Sequence, residues 1–502
     1  MQHILILGDQ LNLEMLGQSY DTPILMLEST ARGRSLGYHK QKLVLVYAAM
    51  RHFKTALVQQ GFTVYYRSCD AFEDGLKAHL EEFPGITLEL RQPSDYGVSE
   101  RFLEVVTELG GKLEIMENPL WLSTNTDFDI WAKGKKELRM EFFYREMRKK
   151  TAWLMDGAQP LGGTWNFDAD NRQTPKQDHV FPPKLEFEPD SITLEVLTWV
   201  EKTFPSHPGS LAKFNWAVTR DQALRALNHF LEFRLQNFGP FEDAMLEGEH
   251  QLYHSLLSPA INIGLLSAKE VCQQALEFAA NQTNNVPLQS IEGFIRQILG
   301  WREFMHHVYR RQMPGLRLEN QLQATKAMPD FYWTGKTNMR CVSSAVTQLL
   351  ETGHTHHIQR LMVLGNFALL AGIDPQALND WFLSLYVDAF DWVVTPNVIG
   401  MSQYANAGGF TSKPYVSGGA YISRMSNHCK SCQFNPKLTT GENACPFSSL
   451  YWDFLDRHSE KFKTNPRMSI PVSAWKKRDE LDRKAILERS QEVLSLLERH
   501  NL

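Results

Sequence analysis

The chain has 502 residues, 43% hydrophobic and 22% charged, enough for a substantial core and for two or three domains. No apolar run approaches the ~20 residues of a membrane span, and no secretory leader opens the chain, so a cytoplasmic monomer is expected. The net charge of −5 removes any global signal for nucleic acid, but it does not exclude a local basic patch.

In chain order, the first ~130 residues alternate between strand and helix. The runs HILILG, PILMLES, TVYYRS, ITLELR and KLEIME predict five short strands. KLVLVYAAMRHFKTALVQQ, between the second and third, is helical in period. Such alternation predicts a doubly wound parallel sheet, an α/β domain over residues 1–130. Gly8-Asp9-Gln10-Leu11 follows the first strand, where such sheets hold ligands. There is no GxGxxG, so a dinucleotide is not indicated. Basic residues crowd 133–150, most simply as a solvated helix face. Residues 131–210 read as a long interdomain connection, polar around GGTWNFDADNRQTPKQ and proline-rich after it.

From 211 to 502 the apolar spacing is helical almost throughout, so a larger all-α domain is expected there. It carries Cys429-x2-Cys432-x12-Cys445-Pro446, with Cys341 upstream. Without a signal peptide or a disulfide-dense composition, these read as a metal or cluster site. Spacing alone leaves zinc and iron–sulfur open. The Cys-Pro ending and the isolated fourth ligand favour a 4Fe–4S cluster.

Three segments of the helical region suggest chemistry. In HSLLSPAINIGLLS, Ser255 and Ser258 stand before a helix start and suit a phosphate or a simple N-cap. In GWREF, Arg302 needs an anion, either a phosphate or a neighbouring Glu. In GHTHHIQRLM, His354, His356 and His357 are expected on one helix with Arg360, with Asp388 and Asp391 downstream. HxHH does not place its histidines on one helix face, so zinc is not expected there. A histidine pair donating protons beside a cofactor fits better.

These segments carry a resemblance that covers essentially the whole chain. GDQL, YWTGKTNMRC, HHIQRLMVLGNFALLAG, TPNVIGMSQYAN, SKPYVSGGAYISRMS, CPF and LYWDF are similar to the photolyase/cryptochrome superfamily, within it the bacterial iron–sulfur branch of (6-4) photolyases. The resemblance implies the photolyase/cryptochrome fold and blue-light repair of (6-4) photoproducts in UV-damaged DNA. It implies FAD held by His254, Ser255, Leu257, Ser258, Arg302, Arg360, Asp388 and Asn397. It implies a 4Fe–4S cluster on Cys341, Cys429, Cys432 and Cys445, and a ribityllumazine antenna, 6,7-dimethyl-8-ribityllumazine, framed by Gly8, Asp9, Gln10, Leu11, Glu28 and His39. His356, His357 and Tyr415 would face the lesion, and Trp381 and Trp333 would carry electrons. Phe382 stands where the branch carries Tyr, and Val394 where it carries a carboxylate. A cryptochrome-like photoreceptor with the same cofactors is the alternative.

Overall fold

The computed structural model describes residues 2–17, 21–176 and 178–498. Strands β1 (Gln2–Ile6), β2 (Ile24–Ser29), β3 (Val64–Cys69), β4 (Thr87–Arg91) and β5 (Lys112–Met116) form one parallel sheet in the order β3-β2-β1-β4-β5. All five coincide with the expected apolar runs. The order reverses between β1 and β4, and the carboxyl ends there open the crevice where such sheets bind ligands.

Side-chain alternation divides the sheet between two cores. Leu5, Leu25, Leu27, Leu88 and Leu90 face helices α3 (Phe72–Glu82) and α4 (Val98–Glu108) in a small core. Ile4, Ile6, Ile24 and Met26 face α2 (Lys40–Gln59), and their core continues without a break into the helical region. The two parts therefore share one interior.

The N-terminal end of α2 pins them together through buried polar groups. Gln41 Nε2 donates to Ser210 O and Glu351 O, both at 2.7 Å. Lys42 Nζ donates to Leu383 O at 2.9 Å and Ala389 O at 2.5 Å. Burial pushes the Lys42 ammonium down to about 7, with Arg32 adding repulsion.

The connection contains a helix that the sequence did not reveal. Ser191–Thr203 forms a helix, N-capped by Asp190, whose Val196 and Val200 bury in the shared core. Its polar flanks hid that period. The basic run is mostly a paired, solvated face, as with Arg145–Glu141 and Lys150–Asp127. Arg148 is the exception: it is fully buried, and its guanidinium donates to the carbonyls of Trp153, Leu154 and Trp165. No helix among the described residues is long and apolar enough to cross a membrane.

Candidate functional site

The helical region converges on Arg360 and Asp388. Arg360 Nη1 and Nη2 donate to Asp388 Oδ1 and Oδ2, both at 3.0 Å, and Nε donates to Thr355 O at 2.7 Å. Its guanidinium lies 4.2 Å over the Tyr386 ring. Burial alone would raise the Asp388 carboxyl, but Arg360, His354 and the hydrogen bonds outweigh it and hold the group at about 2. Ser258 Oγ also donates to Asp388 Oδ2, at 2.7 Å, so the hydroxyl expected to meet a phosphate spends its proton on the ion pair. Ser255 Oγ accepts from Leu257 N, Leu257 is buried, and Leu256 takes a left-handed φ of 56° in the same segment.

The histidines do not share a helix. Helix Arg340–Thr352 ends at Gly353, whose φ of 67° is left-handed and whose N–H returns to Leu349 O. His354, Thr355 and His356 then lie in a segment without regular secondary structure, and the next helix begins at His357. This break separates the three rings. His354 packs against Trp216, at 5.7 Å between ring centroids. His356 is buried, stacks on His254 at 4.7 Å, and leaves both ring nitrogens unpaired; Nε2 of His254 is unpaired too. The His357 ring is exposed, yet burial and Arg360 lower its proton affinity to about 4, with Asp168 opposing. Tyr415 adjoins the same Asp168 and has its phenol pushed up, first by burial.

Arg360 and Asn397 lie on unusually wide helical turns, Gln359–Gly365 and Pro396–Ser402, and a third such turn, Arg296–Arg302, carries Arg302. Such π-type turns recur at functional sites. Asn397 Nδ2 donates to Val393 O. Arg302 takes the alternative anion: it pairs with buried Glu303 at 3.1 Å and stacks on Trp121 at 4.0 Å. The downstream aspartates also part. Helix Pro375–Leu385 stops short of Asp388, and Asp391 turns to Tyr309, Thr395 and Arg317.

Trp381 is buried, and its indole N–H donates to Tyr332 O at 2.9 Å, one residue before half-exposed Trp333. Its ring touches Tyr332, Phe382 and Tyr386 at 5.1, 5.0 and 6.0 Å. Tyr332 and Tyr386 are aromatic neighbours that the linear sequence did not reveal.

At the sheet crevice, Asp9 after β1 lies near Asp95 after β4 and near Arg32 in helix α1 (Thr30–Arg34), which follows β2. Burial and Asp95 raise Asp9 to about 7, against the pull of Arg32. Arg32 donates to Tyr38 at 2.8 Å and lies 4.0 Å from Asp95. Sequence reasoning missed Arg32, Tyr38 and Asp95, because only strand order brings them to Asp9. Gly8 packs against Val46 and Met50, and Gln10 Nε2 donates to Arg91 O. Three expected residues are engaged elsewhere. Leu11 N donates to Ile263 O at 2.9 Å, docking its loop on the helical region. Glu28 is buried against Arg51 and Tyr66. His39 is fully buried with both ring nitrogens hydrogen-bonded, to Leu350 O and Gln41 N.

Cys341, Cys429, Cys432 and Cys445 line one small cavity with Met339, Ile422, His428, Phe434 and Phe447. All are free thiols. Burial pushes Cys445 up to about 12 and Cys341 well above the usual thiol range, with the other three cysteines adding repulsion at Cys341. Among the described residues no three His, Cys, Asp or Glu side chains close around a point as a single ion requires.

The parallel sheet joined through one core to a helical region is the fold of photolyases and cryptochromes. A class III photolyase from Agrobacterium tumefaciens superposes with a TM-score of 0.61 at 15% identity, over 99% of this chain and 98% of its own. The Synechocystis sp. PCC6803 cryptochrome gives a TM-score of 0.57 at 15% identity, over 86% and 89%. The profile of the deoxyribodipyrimidine photo-lyase-related protein family matches residues 4–216. A protein of Agrobacterium fabrum (strain C58 / ATCC 33970), a (6-4) photolyase, is 44% identical over 490 residues, 95% of this chain and 96% of its own. The chain belongs to this photolyase-related family.

Proposed function

We propose that this protein is a DNA photolyase that repairs (6-4) photoproducts under blue light. The observation that carries the reading is the exposed His357 imidazole beside the Arg360–Asp388 pair, backed by buried His356, in a chain 44% identical to a (6-4) photolyase. The unpaired nitrogens of His254 and His356 leave buried polar valences that suit FAD and a base lesion. His254, Ser255, Leu257, Arg360, Asp388 and Asn397 would hold the flavin, which supplies, when bound and reduced, an electron to the damaged base. A base is reached only after it leaves the stack, so the lesion would be extruded toward His357. His356 and His357 would move the proton that a (6-4) lesion requires. Ser258 serves by fixing the Asp388 carboxylate, and Trp381 and Trp333 would bring electrons inward from the surface.

The test is repair of two defined duplexes under blue light, one bearing a (6-4) photoproduct and one a cyclobutane dimer. Restoration of the first and not the second is expected. Restoration of neither, with flavin bound, would move the protein to the signalling reading.

The crevice with Asp9, Gln10, Arg32 and Asp95 would take the antenna chromophore, a ribityllumazine. The four cysteines would hold a 4Fe–4S cluster. Four thiols around one cavity supply the donor set that such a cluster takes. Protein purified without oxygen is expected to contain about four irons per chain, and Cys445→Ser is expected to lose them. Cys272→Ser is expected to keep them, since Cys272 is buried far from this cavity beside Glu303 and Arg302. Stoichiometric zinc without iron would refute the cluster.

A further inference from the structure

Arg148 and Arg234 are both fully buried, and each spends its guanidinium on three backbone carbonyls. Arg148 closes a local loop, whereas Arg234 joins two distant segments. It follows helix Arg220–Phe233, and its Nη1 donates to Leu252 O at 2.5 Å. Its Nη2 donates to Pro182 O at 3.0 Å and to Pro183 O at 2.6 Å. Residues 179–190 have no regular secondary structure, and prolines lack the N–H that a backbone ladder would use. The Arg234 side chain therefore holds this stretch as a strand partner would elsewhere.

A second tie lies beside the first. The Tyr253 phenol and His179 Nε2 share a hydrogen bond of 2.7 Å. The Phe181 ring lies 5.7 Å from that of Tyr253, and Phe241 stacks on it at 5.4 Å. Leu252 and Tyr253 lead directly into His254, Ser255, Leu256 and Leu257. This segment bends at two left-handed leucines, Leu252 with a φ of 48° and Leu256 with a φ of 56°. Leucine enters that region at a cost, so the bend persists only where surrounding contacts hold it. The carbonyl of the first of these leucines is the one that Arg234 takes. Two residues further on, His254 stacks on His356.

We propose that Arg234 and Tyr253 are positioning residues for the flavin: they latch residues 179–183 of the connection onto the segment 252–258, and the flavin leaves only when this latch opens. The proposal rests on the repair reading above, in which His254, Ser255 and Leu257 hold FAD. Arg234 acts through the Leu252 carbonyl, and Tyr253 through its own main chain, so each sets the course of the residues that follow. Without the latch the two left-handed leucines relax and the segment opens. Arginine suits this place because its planar fork reaches carbonyls on two sides at once, whereas an ammonium is a single point.

The test is the rate of FAD release from the oxidised holoprotein in the dark, read as the rise of free-flavin fluorescence after dilution, with the melting temperature measured alongside. The wild type, Arg234→Met, Arg234→Lys, Tyr253→Phe and Arg148→Met are compared. Arg234→Met is expected to release FAD about tenfold faster or more, because hydrogen bonds from a charged donor are worth at least that factor. Tyr253→Phe keeps the ring packing and loses the hydrogen bond, so a rise of roughly threefold is expected. Arg234→Lys is expected to fall between the wild type and Arg234→Met. Arg148→Met breaks equivalent carbonyl contacts outside the segment 252–258, so it is expected to lower the melting temperature and keep the wild-type release rate. Should either Met variant fail to fold, Arg234→Lys, Arg148→Lys and Tyr253→Phe make the same comparison. Wild-type release from the Arg234 variants and Tyr253→Phe overturns the latch. An equal acceleration in the Arg148 variant also overturns it, because the effect is then a general loss of stability. If the wild type binds no FAD, the repair reading fails and the latch falls with it.

Discussion

His357→Ala is expected to lower (6-4) repair by roughly 10²–10⁴-fold, the usual worth of a positioned general acid, with prereduced flavin and saturating DNA. DNA affinity should suffer much less, because phosphate contacts supply most of it. His357 is the one exposed histidine of the cluster, while His356 is buried and stacked on His254. Burial leaves His357 neutral near pH 7, with a pKa of about 4. Its protonated fraction therefore rises roughly tenfold for each pH unit lost above that value. If the imidazolium donates the proton, wild-type single-turnover repair should quicken as pH falls, and His357→Ala should flatten that profile. The sign for stability is opposite. The folded pKa lies below the unfolded value near 6.5, so stability falls as pH drops through the window from 6.5 to about 4. Acid unfolding thus bounds the usable range. His356→Ala is measured in parallel. Wild-type rates in both variants, with flavin bound, would make the histidines structural.

Arg360→Ala is expected to lose flavin and to destabilise the fold by about 3 kcal/mol, the low end for breaking a buried ion pair. Asp388 would be left buried with only Ser258 and the backbone around it. Arg360→Lys should recover part of the effect, since it restores charge but not the two-bond fork or the stacking on Tyr386. The Asp388 pKa of about 2 lies below its unfolded value, so the pair's contribution is complete above pH ~4 and is lost as pH falls toward 2. Normal flavin content and an unchanged melting temperature in Arg360→Ala would refute the pairing's role.

The sequence by itself determined whatever depends on local period and on rare strings. All five strands were legible because residues two apart share a sheet face, and α2 because its apolar positions recur at helical spacing. The four cysteines were legible as one metal or cluster site from their spacing, whereas the pairing of Arg360 with Asp388 was legible only through resemblance.

Tertiary structure alone decided how each charged group is used. Arg302 met Glu303, the residue beside it, because both are buried together and a buried guanidinium takes the anion it is folded against. Ser258 serves Asp388, and Glu28 and His39 are saturated by Arg51, Tyr66, Leu350 and Gln41. Asp9 meets Arg32 and Asp95 only because the strand order reverses between β1 and β4. Gly353 broke the helix on which three histidines were expected, since one left-handed residue redirects everything after it. Asn465 and Ser412 meet across more than fifty residues of chain, a contact no local pattern announces. Periodicity is a property of neighbours along the chain, whereas the partner of a buried charge is chosen by long-range packing.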